Sequence, residues 1–270
     1  MKKLKILVLA DLKKHTNSTV KSAVSLSKLI NAKVDLFHVK KATDVIASDS
    51  QLSAMRTINE EQNQARNQLA TVLNPFAENY NVNITSRVGM GHVKSEIEAY
   101  IKTSNPDIIV LGQRQSKTLK IAGDNVTDFI LKTYNGTVMI ASSENGLEPE
   151  SDLHIGFLNG NTTTSNTAIT NDLLAQTNTP LKSFNIVSNA DQKAAQTSNS
   201  TNKTIDYVFE KNDNTIKNLS HYLEKNQVNL LLINRDNNTE SKSEKSEIKD
   251  VINKVNISLF ITSNTQKQAI

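Results

Sequence analysis

The chain contains no cysteine, so neither a disulfide nor a thiolate metal site contributes to it, a pattern that fits a reducing compartment. It has no tryptophan and only 4% aromatic residues. Without aromatics interleaved in a basic stripe, nucleic-acid binding is disfavoured. Glycine is scarce too, with eight in 270 residues, and all eight stand at or before Gly160. A glycine-built phosphate cradle therefore has no material in the second half. No apolar run approaches the roughly 18 to 20 residues that span a bilayer. The basic start Met1-Lys2-Lys3-Leu4-Lys5 leads into an apolar run that stops at Asp11 with no cleavage pattern, and it reads as a strand rather than a signal peptide. These absences predict a soluble, cytoplasmic protein without a membrane partner.

At 270 residues the chain can bury two cores of ordinary size. Its net charge of +4 is unevenly shared: residues 1–147 hold 19 Lys and Arg against 13 Asp and Glu, and the remainder 12 against 14. A mildly positive first half suits an anionic ligand, although ordinary solvated lysines give the same count.

Residues 4–10 form a β-rich apolar run ending at Asp11, and Asn17-Ser18 offers a helix cap ahead of Val20, Ala23, Val24, Ser27 and Ile30 at helical spacing. Residues 33–39 read as a second strand, 52–79 as a long polar helix with Leu69, Leu73 and Phe76 on its apolar face, and 81–88 as a third strand. A helix face of Val93, Ile97, Tyr100 and Ile101 closes at Asn105-Pro106, which launches a fourth strand over 107–111. A basic polar loop then runs from Gly112 to a helix marked by Val126, Phe129, Ile130 and Tyr134, and a fifth strand follows at 137–141. Strands alternating with helices over short connections predict a mostly parallel sheet covered on both faces.

The polar segment 144–151, holding Gly146 and Pro149, separates this region from a second that repeats its order. Strands are predicted at 153–158, 181–187, 204–209, 229–233 and 257–262, with helices near 167–176, 216–223 and 248–255. The long helix of the first half gives way to the polar stretch 188–203, read as a loop with at most a short helix. A repeat of half the chain is a duplicated domain, 1–145 followed by 151–265.

Asp11 at the end of strand one, His38-Val39 at the end of strand two, Val88-Gly89-Met90-Gly91-His92-Val93 before a helix, and the run from Asp107 through Gly112-Gln113-Arg114 together resemble a universal stress protein domain. The whole chain resembles a tandem member of that family with a degenerate second copy. The resemblance implies two tandem three-layer α/β domains, Rossmann-like and akin to the adenine nucleotide alpha hydrolases, each with a mostly parallel five-stranded sheet. It also implies that the fifth strands pair across domains as an internal pseudo-dimer, on which a homodimer can be built.

Nucleotide-binding members carry Gly-x2-Gly-x9-Gly-Ser/Thr after strand four, where backbone amides and a helix N-terminus surround the phosphates. Here Gly112 matches the first glycine and Gln115 takes the second; across an intervening segment one residue shorter, Asp124 takes the third with Gly123 one place early, and Asn125 the Ser/Thr position. Gln115 brings a Cβ and Asp124 a carboxylate, both opposed to a phosphate, while Arg114, Lys117 and Lys120 offset the charge. By resemblance, Asp11 and the Val39 backbone face the adenine of ATP or AMP, Gly89 the ribose, and Gly112, Gln115, Asn125 and Val126 the phosphates. From the residues alone, Asp11 reads equally as a strand-end cap, and Gly89 and Gly91 as a tight turn.

In the second half the corresponding loop, 234–241, lacks glycine and carries Asp236 and Glu240, and Asn159-Gly160-Asn161 replaces the strand-one acid. That half is expected to serve a structural role. The five histidines, His15, His38, His92, His154 and His221, show no i, i+4 pair and no metal-ligand spacing, so they read as packed or surface residues, and no metal site is evident. No G-x-S-x-G elbow is present. The chain thus reads as a cytoplasmic stress-response protein that binds ATP or AMP weakly in its first domain, rather than as an enzyme. A nucleotide-free scaffold and a slow nucleotide hydrolase using Asp124 with Asp128 are the alternatives.

Overall fold

The structure, a computed structural model, describes residues 3–13, 15–41, 51–113, 126–160, 167–187, 204–235 and 242–263. The first half runs β1 (Lys5–Leu9), α1 (Thr16–Leu29), β2 (Lys33–Lys40), α2 (Gln51–Tyr80), β3 (Ile84–Met90), α3 (Val93–Ser104), β4 (Ile108–Gly112), α4 (Val126–Thr133) and β5 (Thr137–Ala141). The second runs β6 (Ile155–Leu158), α5 (Ala168–Leu174), β7 (Leu181–Val187), β8 (Thr204–Glu210), α6 (Thr215–Lys225), β9 (Leu230–Arg235), α7 (Lys242–Lys254) and β10 (Ser258–Ser263). The strands join in one sheet of order β3-β2-β1-β4-β5-β10-β9-β6-β7-β8. Each half is parallel within itself, and the halves meet where β5 runs antiparallel to β10. The two expected five-stranded sheets are thereby continuous, because two apolar outer strands satisfy each other's open edges.

The central strands β4, β5, β9 and β10 are buried at almost every position and apolar through their middles, as strands covered on both faces must be. On one face Val24 of α1, Leu69 of α2 and Leu173 of α5 share a core with Val8, Phe157 and Phe260. On the other, Ile97 of α3, Ile130 of α4, Leu219 of α6 and Val251 of α7 share one with Val138 and Leu259. Both cores run across the β5–β10 seam.

Local chemistry sets the element ends. Helix α1 begins at Thr16, so Asn17 and Ser18 lie inside its first turn rather than capping it; His15 is the capping residue and makes no side-chain cap. The Ser18 and Thr19 hydroxyls instead donate back to the His15 carbonyl at 2.9 and 3.0 Å. Asn105 ends α3 in the left-handed conformation, φ 44°, just ahead of Pro106. Strand β3 continues to Met90 and takes Gly89 into the sheet. The polar segment around 144–151 is packed against α1: Leu147 is 2% exposed, and Ser22 and Ser25 donate to the carbonyls of Leu147 at 3.4 Å and Glu148 at 3.1 Å. Gly146 permits this approach, since a Cβ there would stand 2.6 Å from Ser22 Oγ. The stretch 188–203 lies outside the described residues.

Two buried side chains tie the halves together reciprocally. Gln113, just past β4, donates from Nε2 to the carbonyls of Ile252 at 2.8 Å and Val255 at 2.7 Å, at the end of α7. Arg235, in the corresponding place at the end of β9, donates from Nη1 to Leu131 O at 2.7 Å and from Nη2 to Tyr134 O and Gly136 O, the last at 3.0 Å, at the end of α4. Helix-terminal carbonyls have no partner within their own helix, and here each helix is closed by the opposite half. Replacing Arg235 with Leu leaves the carbonyls at the end of α4 buried and unbonded, at an expected cost of about 2–3 kcal/mol. A lowered urea midpoint with an unchanged m-value would report it, and Gln113→Leu should show a smaller loss.

Candidate functional site

In the first half, chain order reverses between β1 and β4, with β2 on one side of β1 and β4 on the other. Such a switch point opens a crevice beyond the carboxyl ends of the strands. A cleft of about 840 Å³ lies there, walled by the turn after β1, the start of α1, the end of β2, Gly112-Gln113, and Val126-Thr127 at the start of α4. Its volume falls within the range of small-molecule sites.

Strand β1 stops at Leu9 while β2 continues to Lys40. The Ala10 N–H donates to the Phe37 carbonyl at 3.2 Å, which is the last rung between them. Alternate residues of a parallel strand present their N–H and C=O to the same side. Val39 therefore aims both groups past the end of β1 into the cleft, a paired donor and acceptor suited to a planar heterocycle. Asp11 lines the same cleft, and its Oδ1 accepts from the Lys13 N–H at 3.1 Å, shaping the turn. At the rim, Lys40 is paired with Glu61 of α2 at 2.6 Å. Val126 opens α4 on the cleft wall. Gln115 and Asn125 lie outside the described residues.

Two glycines have packing reasons. A Cβ on Gly112 would stand 2.5 Å from the Thr19 hydroxyl oxygen, so glycine lets the end of β4 lie against α1. Gly89 pairs with Val39 within the sheet and is not among the residues walling the cleft. Its Cβ would stand 2.8 Å from Phe37 Cζ, so its absence lets the Phe37 ring, itself part of the wall, lie flat on β3.

His38, expected from the sequence to be a packed or surface residue, is packed at 8% exposure and lies in the cleft wall. Its Nδ1 lies 2.8 Å from the Ala10 carbonyl. A carbonyl only accepts, so Nδ1 carries the hydrogen and Nε2 a lone pair. Burial, more than any charge nearby, pushes the ring's pKa below its ordinary 6.5; the Ala10 hydrogen bond and Asp11 oppose this, and Lys40 reinforces it.

The same positions in the second half close on themselves. The Asn159 N–H donates to the Phe184 carbonyl at 2.9 Å, repeating the Ala10–Phe37 rung. The next N–H on that side, Ile186, corresponds to Val39 and already donates to Asn159 Oδ1 at 2.7 Å. Asn159 reaches it from a left-handed backbone, φ 49°. As for metal chemistry, Asp128 is paired with Lys249 of α7 at 3.1 Å, and among the described residues no cluster of three His, Asp or Glu gathers. No helix among the described residues is long and apolar enough to cross a membrane.

The model of the Universal stress protein family matches residues 4–142. No curated protein matches the chain. Among solved structures, a universal stress protein from Archaeoglobus fulgidus DSM 4304 is similar at 12% identity and a TM-score of 0.64, over 97% of this chain and 98% of that one. A functionally unknown protein from Pseudomonas aeruginosa PAO1 is similar at 12% identity and 0.61, over 96% and 92%. At such identities the likeness is one of fold.

Two outcomes follow from the geometry. Gly112→Ala should destabilise the chain by about 1–3 kcal/mol, and a second change, Thr19→Ala, should recover much of that loss in a double-mutant cycle. Because the folded state lowers the His38 pKa, it holds fewer protons there than the unfolded chain. Stability contributed by the neutral ring should therefore fall as pH drops from 6.5 through the depressed value, and His38→Phe should remove that slope from the pH dependence of the urea midpoint.

Proposed function

The chain belongs to the universal stress protein family, and on that footing we propose that its first-half cleft binds one adenine nucleotide, ATP or AMP, while the second half binds none. The observation that carries this reading is the Val39 main chain, whose N–H and C=O stand past the end of β1 at the switch point of the sheet. Asp11 and Val39 face the adenine side. Gly112, Gln115, Asn125 and Val126 face the phosphates, where the start of α4 supplies free amides and a favourable dipole. Gly89 acts on the ribose side through Phe37, by letting that ring settle against β3.

The second half serves as a fixed partner. Its Val39-equivalent donor is already bonded to Asn159 Oδ1, so a nucleotide would have to displace an intramolecular hydrogen bond without a glycine loop to hold it. In this reading residues 1–145 and 151–265 are two domains joined as an internal pseudo-dimer, and the protein is a cytoplasmic stress-response protein that works through occupancy rather than turnover. A slow hydrolase is disfavoured by the Asp128–Lys249 pair, which engages half of the carboxylate couple such chemistry would use. A nucleotide-free scaffold is favoured by one specific observation: packing against Thr19 and Phe37 accounts for Gly112 and Gly89 without any ligand.

Isothermal titration of ATP with magnesium into the intact chain, paired with a phosphate-release assay, separates these readings. The proposal expects one site per chain, affinity reduced about tenfold or more in Asp11→Ala, and no sustained phosphate release. Absence of binding heat would favour the scaffold, and sustained release the hydrolase.

A further inference from the structure

Resting on the nucleotide reading above, we infer that His38 selects the base, its Nε2 accepting a hydrogen bond from the exocyclic amino group of an aminopurine and rejecting a purine that carries oxygen there. The Ala10 carbonyl at 2.8 Å holds the proton on Nδ1, so the other nitrogen of this cleft-lining ring is an acceptor only. That nitrogen makes no hydrogen bond among the described residues, and it is not sealed from solvent, since it is absent from the buried polar atoms left without a partner. Its neighbour Val39 presents a carbonyl to the same cleft. Two consecutive residues at the end of β2 thus offer two acceptors, and an amino group has two hydrogens to give.

An oxo-purine would set its own lone pairs against both acceptors. Lys40, a donor two residues along, is engaged with Glu61 at 2.6 Å, and Asp11 adds a carboxylate to the wall. Opposed acceptors in a partly desolvated site cost more than a missing contact, which is how a polar pocket discriminates strongly between isosteres. The second half lacks the device: Asn185 takes the corresponding place, and its Nδ2 donates to Ser183 Oγ at 2.9 Å.

Calorimetric titration of ATP and of inosine triphosphate into the unmodified chain, His38→Phe and His38→Gln tests the assignment. The unmodified chain should favour ATP, His38→Phe should narrow the ATP-to-ITP affinity ratio about tenfold, and His38→Gln should restore it, since its amide can donate to Ala10 and accept from the ligand. A ratio unchanged in His38→Phe that still binds ATP would overturn the role of His38 and leave the nucleotide reading standing. Failure of the unmodified chain to bind either nucleotide would overturn both. Nitrogen-15 spectra of the unmodified chain need no variant: they should show hydrogen on Nδ1 and an Nε2 resonance that moves with ATP and not with ITP, and hydrogen on Nε2 instead would contradict the inference.

Discussion

An apolar strand left at the edge of a sheet exposes both its side chains and a row of unpaired amides and carbonyls. This chain removes two such edges with a single pairing, β5 against β10, in which Met139 stands opposite Phe260 with Ile140 opposite Leu259 and Val138 opposite Ile261 on either side. Everything else is arranged around that seam. The cores on both faces of the sheet cross it, and the terminal carbonyls of α4 and α7 are bonded by side chains arriving from the far half. Ser142, fully buried beside the seam, accepts no freedom either: its hydroxyl lies 3.3 Å from the Asn256 carbonyl. The strands that remain at the outer ends, β3 and β8, carry most of their residues exposed or half-exposed.

The cleft inherits its shape from this frame. Gly112 is pressed against α1 through Thr19, and the next side chain, Gln113, turns away to α7. Helix α4 reaches from the cleft at Val126 to the Arg235 guanidinium at its other end. Two walls of the first-half cleft are therefore held from the second half. At the two matching strand ends the halves differ by single side chains within a common geometry: one leaves the Val39 backbone facing open space, and the other satisfies Ile186 with Asn159.

Much of the architecture was legible in residue patterns. Apolar runs of strand length, the Asn105-Pro106 stop and the repeated order of elements lead to the α/β sheet, whereas the pairing of β5 with β10 is implied by the family resemblance. The polar segment around 144–151 reads as a boundary, and nothing in it signals packing because its apolar residue, Leu147, gives no periodic signal; its burial depends on the small Ser22 and Ser25 of a helix 125 and 123 residues earlier. The packing of Gly112 against Thr19 and of Gly89 against Phe37 rests on contacts that no local pattern reveals. The sequence gives His38 no partner at helical spacing, because its partner is the main-chain carbonyl of Ala10, just past the neighbouring strand. Asparagine takes four of the left-handed positions among the described residues: Asn31, Asn81, Asn105 and Asn159, at φ 50°, 51°, 44° and 49°, in a chain where glycine is scarce. Asparagine tolerates that region better than other residues with a Cβ.

The central claim is that one antiparallel seam makes a single structural unit of two halves. Native-state hydrogen exchange tests it most directly, read at the amides of Val138, Met139 and Ile140 and at those of Leu259, Phe260 and Ile261. The slowest amides of both strands, and of the core strands behind them, should open with one shared free energy equal to that of global unfolding. Two separate values, one for each half, would contradict it.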